Sequence, residues 1–349
     1  MAAGMKQAFL IALVSAVLLA VAPTIIGTYT LTLLVIYGIL ALSLGLIWGF
    51  GGVLCFGQAA FFGLGAYTYA IAAINIGEST VPFLLGIAVP CVFGAALGAM
   101  MFYGRLSDVY LGVITLVVTL LFFRFMNSTA GPEYVIGAAR LGGFNGIPGF
   151  QTLNVPGDPS AHIFGDAYYY LTAAFLLLVY LLVRWLLASP FGRIAMAIRE
   201  NELRVELLGY DARARKTLLF AIGGAIAGLA GTLFATWAEI VTPGMFSLGQ
   251  SAEIIIWCIV GGLGTLVGPV IGAMVLAYLK FALGQQTVID NTLVLGAILV
   301  LCVLLMPRGV VPTLGSALKR FKRRSRRSGA RRRPGSSTAG AIRAERAHV

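Results

Sequence analysis

The run Tyr29-Thr-Leu-Thr-Leu-Leu-Val-Ile-Tyr-Gly-Ile-Leu-Ala-Leu-Ser-Leu-Gly-Leu-Ile-Trp48 decides the fold class, because it is 20 residues long and carries no charge. At 1.5 Å per residue, a helix of that length covers the roughly 30 Å of hydrocarbon in a bilayer. Lipid offers no hydrogen-bond partner to an open backbone, so a spanning segment must pair its own amides, and without strand-like alternation it does so as a helix. Comparable runs occupy residues 8–26, 53–73, 81–103, 109–126, 167–188 and 218–237, followed by a Gly-broken stretch 253–283 and a last run 292–306. The whole chain of 349 residues is 59% hydrophobic and only 11% charged, against about 25% charged for a water-soluble domain. The expected fold class is therefore all-α, a polytopic transmembrane helical bundle of about 8–10 spans.

The formal net charge of +12 is unevenly placed. Residues 1–306 hold 12 Lys/Arg and 12 Asp/Glu, whereas residues 307–349 hold 13 Lys/Arg and one Glu. This divides the chain into a transmembrane domain, 1–306, and a basic tail, 307–349, whose Arg/Ser/Gly/Ala composition predicts disorder. Such a tail suits anionic lipid headgroups, at about 1 kcal/mol per charge near the surface; with no folded reader beside it, nucleic acid is not an expected partner. Cys55, Cys91, Cys258 and Cys302 lie in apolar runs without metal-ligand spacing, and His162 and His348 are the only histidines. No cofactor is expected. The chain contains no Gly-Lys pair, hence no phosphate-binding loop for ATP, and no nucleophile–base arrangement stands out. An enzyme is not expected.

One polar segment interrupts the apolar sequence: residues 190–216 hold six Lys/Arg and four acids. Basic residues in short loops mark the cytoplasmic side, which puts this island, the turn at 103–109 with Arg105, and the tail inside. The 40-residue loop 127–166 then lies outside. An even number of crossings must separate island from tail, so 253–283 is expected to split in two around Gly261-Gly-Leu-Gly-Thr-Leu-Val-Gly268. Arg124 and Lys280 fall near outer helix ends, where long side chains snorkel. Glu253 is expected in the first turn of its helix, facing the positive end of the macrodipole, or else lining a pore. The N-terminal run ending in Ala20-Val-Ala22 reads as a first span or as a cleaved signal.

Read as one helix, the island places Ile194, Ala197, Ile198, Val205 and Leu208 on one side, flanked by Arg193, Arg199, Glu200 and Glu202. Met196, Leu203 and Leu207 form a second apolar strip opposite, and Gly192 and Gly209 mark the helix ends. One strip could rest on the bundle while the other meets a partner; a merely solvated connector is the alternative.

The stretch Phe50-Gly-Gly-Val-Leu-Cys-Phe-Gly-Gln-Ala-Ala-Phe-Phe-Gly-Leu-Gly-Ala-Tyr67 has no charge but many small residues. It reads either as a close-packing seam or as a translocation path lined by a broken helix, with Gly51, Gly52, Phe56, Gly57, Gln58 and Phe61 along it.

Residues 51–67 resemble the signature of the LivM-type permease subunit of branched-chain amino acid ABC transporters, a family that often has His where this chain has Gln58. Leu141-Gly-Gly-Phe-Asn-Gly-Ile-Pro-Gly149 resembles its outer-loop element, which adds Asn145 to the candidate path. Gly192-Arg193, Ala197-Ile-Arg-Glu200 and Leu208-Gly-Tyr210 resemble its cytoplasmic loop. Residues 254–272, Ile-Ile-Ile-Trp-Cys-Ile-Val-Gly-Gly-Leu-Gly-Thr-Leu-Val-Gly-Pro-Val-Ile-Gly, are similar to its late segment. The resemblance implies a second, LivH-like permease subunit, two cytoplasmic ATP-binding subunits that hydrolyse ATP, and an extracytoplasmic solute-binding protein. It implies alternating access in a bacterial cytoplasmic membrane, with Gly192, Arg193, Arg199, Glu200, Leu208 and Gly209 coupling to the ATPase, and Gly51, Gly52, Phe56, Gly57, Gln58, Phe61, Asn145 and Glu253 along the path. The solute is expected to be a branched-chain or other small neutral amino acid. Urea or a short amide is the nearest alternative, and an autonomous channel or ion-coupled carrier is one from a different class.

Overall fold

A computed structural model describes residues 2–156 and 158–284, together with positions 296–297, 300, 309–311 and 313. Its helices are α1 (Ala2–Val21), α2 (Thr28–Gly49), α3 (Gln58–Ile76), α4 (Thr80–Tyr103), α5 (Asp108–Ser128), α6 (Gly165–Ala188), α7 (Pro190–Glu200), α8 (Glu202–Leu207), α9 (Ala212–Ala238), α10 (Leu248–Gly261) and α11 (Val267–Gly284). Among the described residues six helices, α2 to α6 and α9, are long and apolar enough to cross a membrane. The chain is a polytopic helical bundle. The run 292–306 and the tail 307–349 lie almost wholly outside the described residues.

Buried α9 is the hub. It packs along α4, α3 and α2, and small residues set how closely. A methyl at Gly65 of α3 would run into the Gly228 backbone of α9, one at Gly94 of α4 would stand 3.4 Å from Ala221, and one at Gly224 would stand 2.9 Å from Pro90 O. Between lipid-embedded helices, backbone approach of this kind replaces the hydrophobic drive available in water. Around the seam Phe61, Phe93, Phe102 and Phe220 interlock, with Phe61 and Phe220 edge to face at 5.4 Å.

The stretch 253–283 does split. Helix α10 ends at Gly261, Gly262 (φ +110) and Gly264 (φ +85) turn the chain, and α11 packs back on α10 and α2. The first piece starts five residues earlier than expected, because Ser247 caps it by accepting from Gln250 N at 3.1 Å. Glu253 is consequently in the second turn, not the first. Its carboxylate meets Lys280 of α11 at 2.5 Å.

The loop 127–166 and the island sit at opposite ends of the bundle, since α6 runs from one to the other. The loop carries short antiparallel pairings that hydropathy gave no sign of, Val135–Ile136 with Ala139–Arg140 and Asn154–Val155 with Asp158–His162. A third pairing, Ile147–Pro148 with Ile240–Val241, ties the loop to the end of α9.

Candidate functional site

The island is not one helix. Ser189 Oγ accepts from Gly192 N at 3.4 Å and Pro190 fills the first helical position, which starts α7 directly after α6. Asn201 then takes an extended conformation (φ −162°) and its Oδ1 accepts from Arg204 N at 3.0 Å, ending α7 and capping α8. Gly209 (φ +86) closes α8, and Asp211 Oδ1 caps α9 through Arg213 N and Ala214 N at 3.0 and 3.1 Å. Gly209 therefore marks a helix end as expected. Gly192 does not: it lies inside the first turn of α7, where any methyl would strike Leu186 O and the Leu187 backbone at the α6–α7 corner.

Breaking the helix changes which side chains share a face. Ile198, Val205 and Ala212 bury one another with Ile194 against them, a cluster separate from the main core. Ala197 and Leu208, expected on that same side, are exposed. Of the second strip Leu203 is 66% exposed and Leu207 79%, while Met196 is half-buried; Leu208, expected on the other side, joins them at 75%. Two large apolar side chains on a six-residue helix and a third directly after it, all exposed, form a surface of the kind that meets a partner. Glu202 holds Lys216 at 2.6 Å, Lys216 also lies 5.8 Å from the Phe102 ring, and Arg215 sits over Phe191 at 5.5 Å. These contacts fasten α7 and α8 to α9 and to the end of α4. Arg193 reaches Ala188 O at 3.4 Å, and Glu200 is exposed.

Arg199, although exposed, reaches back to the bundle. Its guanidinium donates from Nη1 to the carbonyl of Gly49, at the C-terminal end of α2, where orphan carbonyls and the negative end of the helix dipole favour a cation. Its aliphatic stem covers Gly52, which has φ +75; a methyl there would stand 2.9 Å from Arg199 Cγ. Gly52 is otherwise exposed, whereas Gly51 is buried by Leu219 of α9 and Ile47 O. The α10–α11 elbow reaches the same point, since a methyl on Gly49 would stand 3.2 Å from Gly264 N. The island, the end of α2 and the elbow thus converge on Gly49–Gly52.

Beyond that node residues 53–57, expected to be the first turn of a span, are not helical. Buried irregular backbone in a membrane protein needs partners, and α5 supplies them: Phe56 N donates to Thr115 Oγ1 at 3.1 Å and Phe56 O accepts from Thr119 Oγ1 at 3.4 Å. Gly57 N donates to Cys55 Sγ at 3.2 Å. Gln58 opens α3, buried, with its amide 3.3 Å from Ser43 Oγ. The contact atom on Gln58 is Oε1, an acceptor, which competes for the one Ser43 proton with the nearer Leu40 O at 2.6 Å, and Gln58 Nε2 is buried without a partner among the described residues. Phe61 is enclosed among the aromatic rings of α4 and α9.

Of the sequence candidates, Gly51, Gly52 and Arg199 come together, and Phe56, Gly57 and Gln58 follow directly along the chain. Asn145 is remote, exposed in the turn Gly143–Asn145 of the loop at the other end, and Glu253 lies in the half of the bundle near that loop. Thr115, Thr119 and Ser43 were not singled out from sequence, although the Thr115/Thr119 spacing of four residues puts both on one face of a helix.

Residues 24–304 match the family model described as branched-chain amino acid transport system / permease component. The chain is 30% identical over 312 residues to the high-affinity branched-chain amino acid transport system permease protein LivM of Escherichia coli, covering 82% of this chain and 70% of that one. It is 25% identical over 325 residues to the probable branched-chain amino acid transport permease protein LivM of Methanocaldococcus jannaschii, covering 79% and 90%. A shorter likeness, 35% over 124 residues and about a third of each chain, is to the autoinducer 2 import system permease protein LsrC of Salmonella paratyphi B. No solved structure matches the chain.

Proposed function

Since the chain belongs to the family described as branched-chain amino acid transport system / permease component, we propose that it carries branched-chain or other small neutral amino acids across the bacterial cytoplasmic membrane. It is the permease subunit of an ATP-binding-cassette importer, a multi-pass membrane protein and not itself an enzyme. The partners are a second, related permease, two cytoplasmic ATPases that hydrolyse the nucleotide, and an extracytoplasmic solute-binding protein. The island at 190–216 and the basic residues 307–349 face the cytoplasm, as their Lys/Arg content favours.

The observation that carries this reading is the construction of α7 and α8. Their outer surface offers Leu203, Leu207 and Leu208 to a partner, while Arg199, itself exposed, bonds the end of α2 beside the Gly-rich segment and the α10–α11 elbow. A push delivered on α8 would reach the 50–57 segment through that bond, which is the linkage alternating access requires. The test is leucine uptake into liposomes holding the chain with its partner permease, ATPases and binding protein. Uptake is expected to require ATP and all partners; full-rate uptake by the purified chain alone would overturn the reading.

A further inference from the structure

Among the described residues the buried side-chain atoms without a hydrogen-bond partner are the Tyr67, Thr217 and Ser251 hydroxyls and the Gln58 and Gln250 amide nitrogens. Tyr67 of α3 and Ser251 of α10 are each 1% exposed, and neither oxygen is paired; the side-chain nitrogen of Gln250, next to Ser251, is also buried and unpaired. The cost of an unpaired polar atom in an apolar interior is several times what a paired one returns, so two such hydroxyls and an amide in one region call for an explanation.

The region is defined by Phe246. The 3-10 turn Pro243–Phe246 enters the bundle between α3 and α5 and leads into α10. The Phe246 ring lies on Gly63, where a methyl would stand 2.5 Å from it, with the Tyr67 ring 5.5 Å away on one side and Phe122 of α5 stacked at 5.5 Å on the other. Gly63 and Tyr67, four residues apart, present one face of α3 to this turn. On the α10 side Ser247 caps the helix through Gln250 N, and Ser251 follows on the face that also carries Ile254 and Cys258, buried against the bundle. The nearby carboxylate, Glu253, is neutralised by Lys280. Neutral donors and acceptors thus sit on the two helices that pack against this aromatic turn, on the half of the bundle nearer the 127–166 loop.

We infer that Tyr67, Gln250 and Ser251 contact the solute as it passes, with Phe246 as the ring that must yield. Hydroxyl and amide groups without net charge suit a small solute that is itself uncharged or zwitterionic and offers both donors and acceptors, and they give little to a singly charged ion. The inference rests on the importer reading and specifies where along that pathway the solute is held.

The test compares Tyr67→Phe and Ser251→Ala with wild type in the complete reconstituted transporter, using radiolabelled leucine. Each substitution removes only an oxygen that has no partner, so melting temperature and ATPase co-purification should stay level or rise. Leucine uptake should fall about tenfold in each, the size expected for one hydrogen bond lost from the moving solute. Wild-type uptake by both variants, or a loss of uptake that tracks a loss of melting temperature, overturns the inference while leaving ATP-dependent import intact. Should wild-type uptake prove indifferent to ATP, the importer reading falls, and the ratio of variant to wild-type uptake still decides the site.

Discussion

Arg199 and Gly192 show how single residues of the polar segment act on the chain's own backbone. Arg199 reads from sequence as a surface cation for a partner, yet its planar guanidinium is spent on the Gly49 carbonyl. A lysine keeps the charge but lacks the fork and covers Gly52 less well. Arg199→Lys is therefore expected to keep the ATPases bound while leucine transported per ATP hydrolysed falls about 3- to 10-fold, the range for one weakened charged hydrogen bond. An unchanged ratio would sink the linkage. Gly192→Ala places a methyl against Leu186 O and the Leu187 backbone, with no flexible side chain to give way. A loss of about 1–3 kcal/mol is expected, as for overpacking elsewhere, read as a lower melting temperature of the detergent-solubilised chain.

At the scale of the element, the polar segment is two short helices and a cap rather than one long helix, and Asn201 is the reason. Asparagine competes for backbone hydrogen bonds and favours a cap over a helix interior. Because α8 begins afresh there, Leu203, Leu207 and Leu208 project together. Replacing Leu203 and Leu207 with Ser removes apolar surface that the chain itself does not bury. Melting temperature should hold while ATPase co-purification drops; assembly that survives both substitutions would mean that α8 is only a solvated connector. Helix α3 is the complementary case. Residues 53–57 are apolar enough for a span, but Gly51, Gly52 and Gly57 weaken the helix there and Thr115 and Thr119 pair the freed backbone.

For the whole molecule, the Glu253–Lys280 pair joins α10 to α11 across the elbow that touches Gly49. With Lys280 44% and Glu253 20% exposed, the pair is partly screened, and a coupling energy of about 1 kcal/mol is expected. Glu253→Gln and Lys280→Met should each lower the melting temperature, and the double variant should recover part of the loss; additive losses would show that the pair does not interact. The spans were legible because a charge-free run of about 20 residues has one low-energy form in lipid, a helix, whatever surrounds it. So was the break near Gly262, since two glycines with positive φ are local features. The outward Leu203/Leu207 strip was legible too, being a periodicity within a few turns. What sequence left open was every choice made across distance: Arg199 bonds a carbonyl 150 residues away, Phe56 a threonine 59 away, and Tyr67 meets a ring carried by the turn after α9. Membrane location and helix content are settled by each segment's own backbone and hydropathy. The partner of each polar side chain depends on which helices the fold makes neighbours, and that was decided only by tertiary packing around the glycines of α3, α4 and α9.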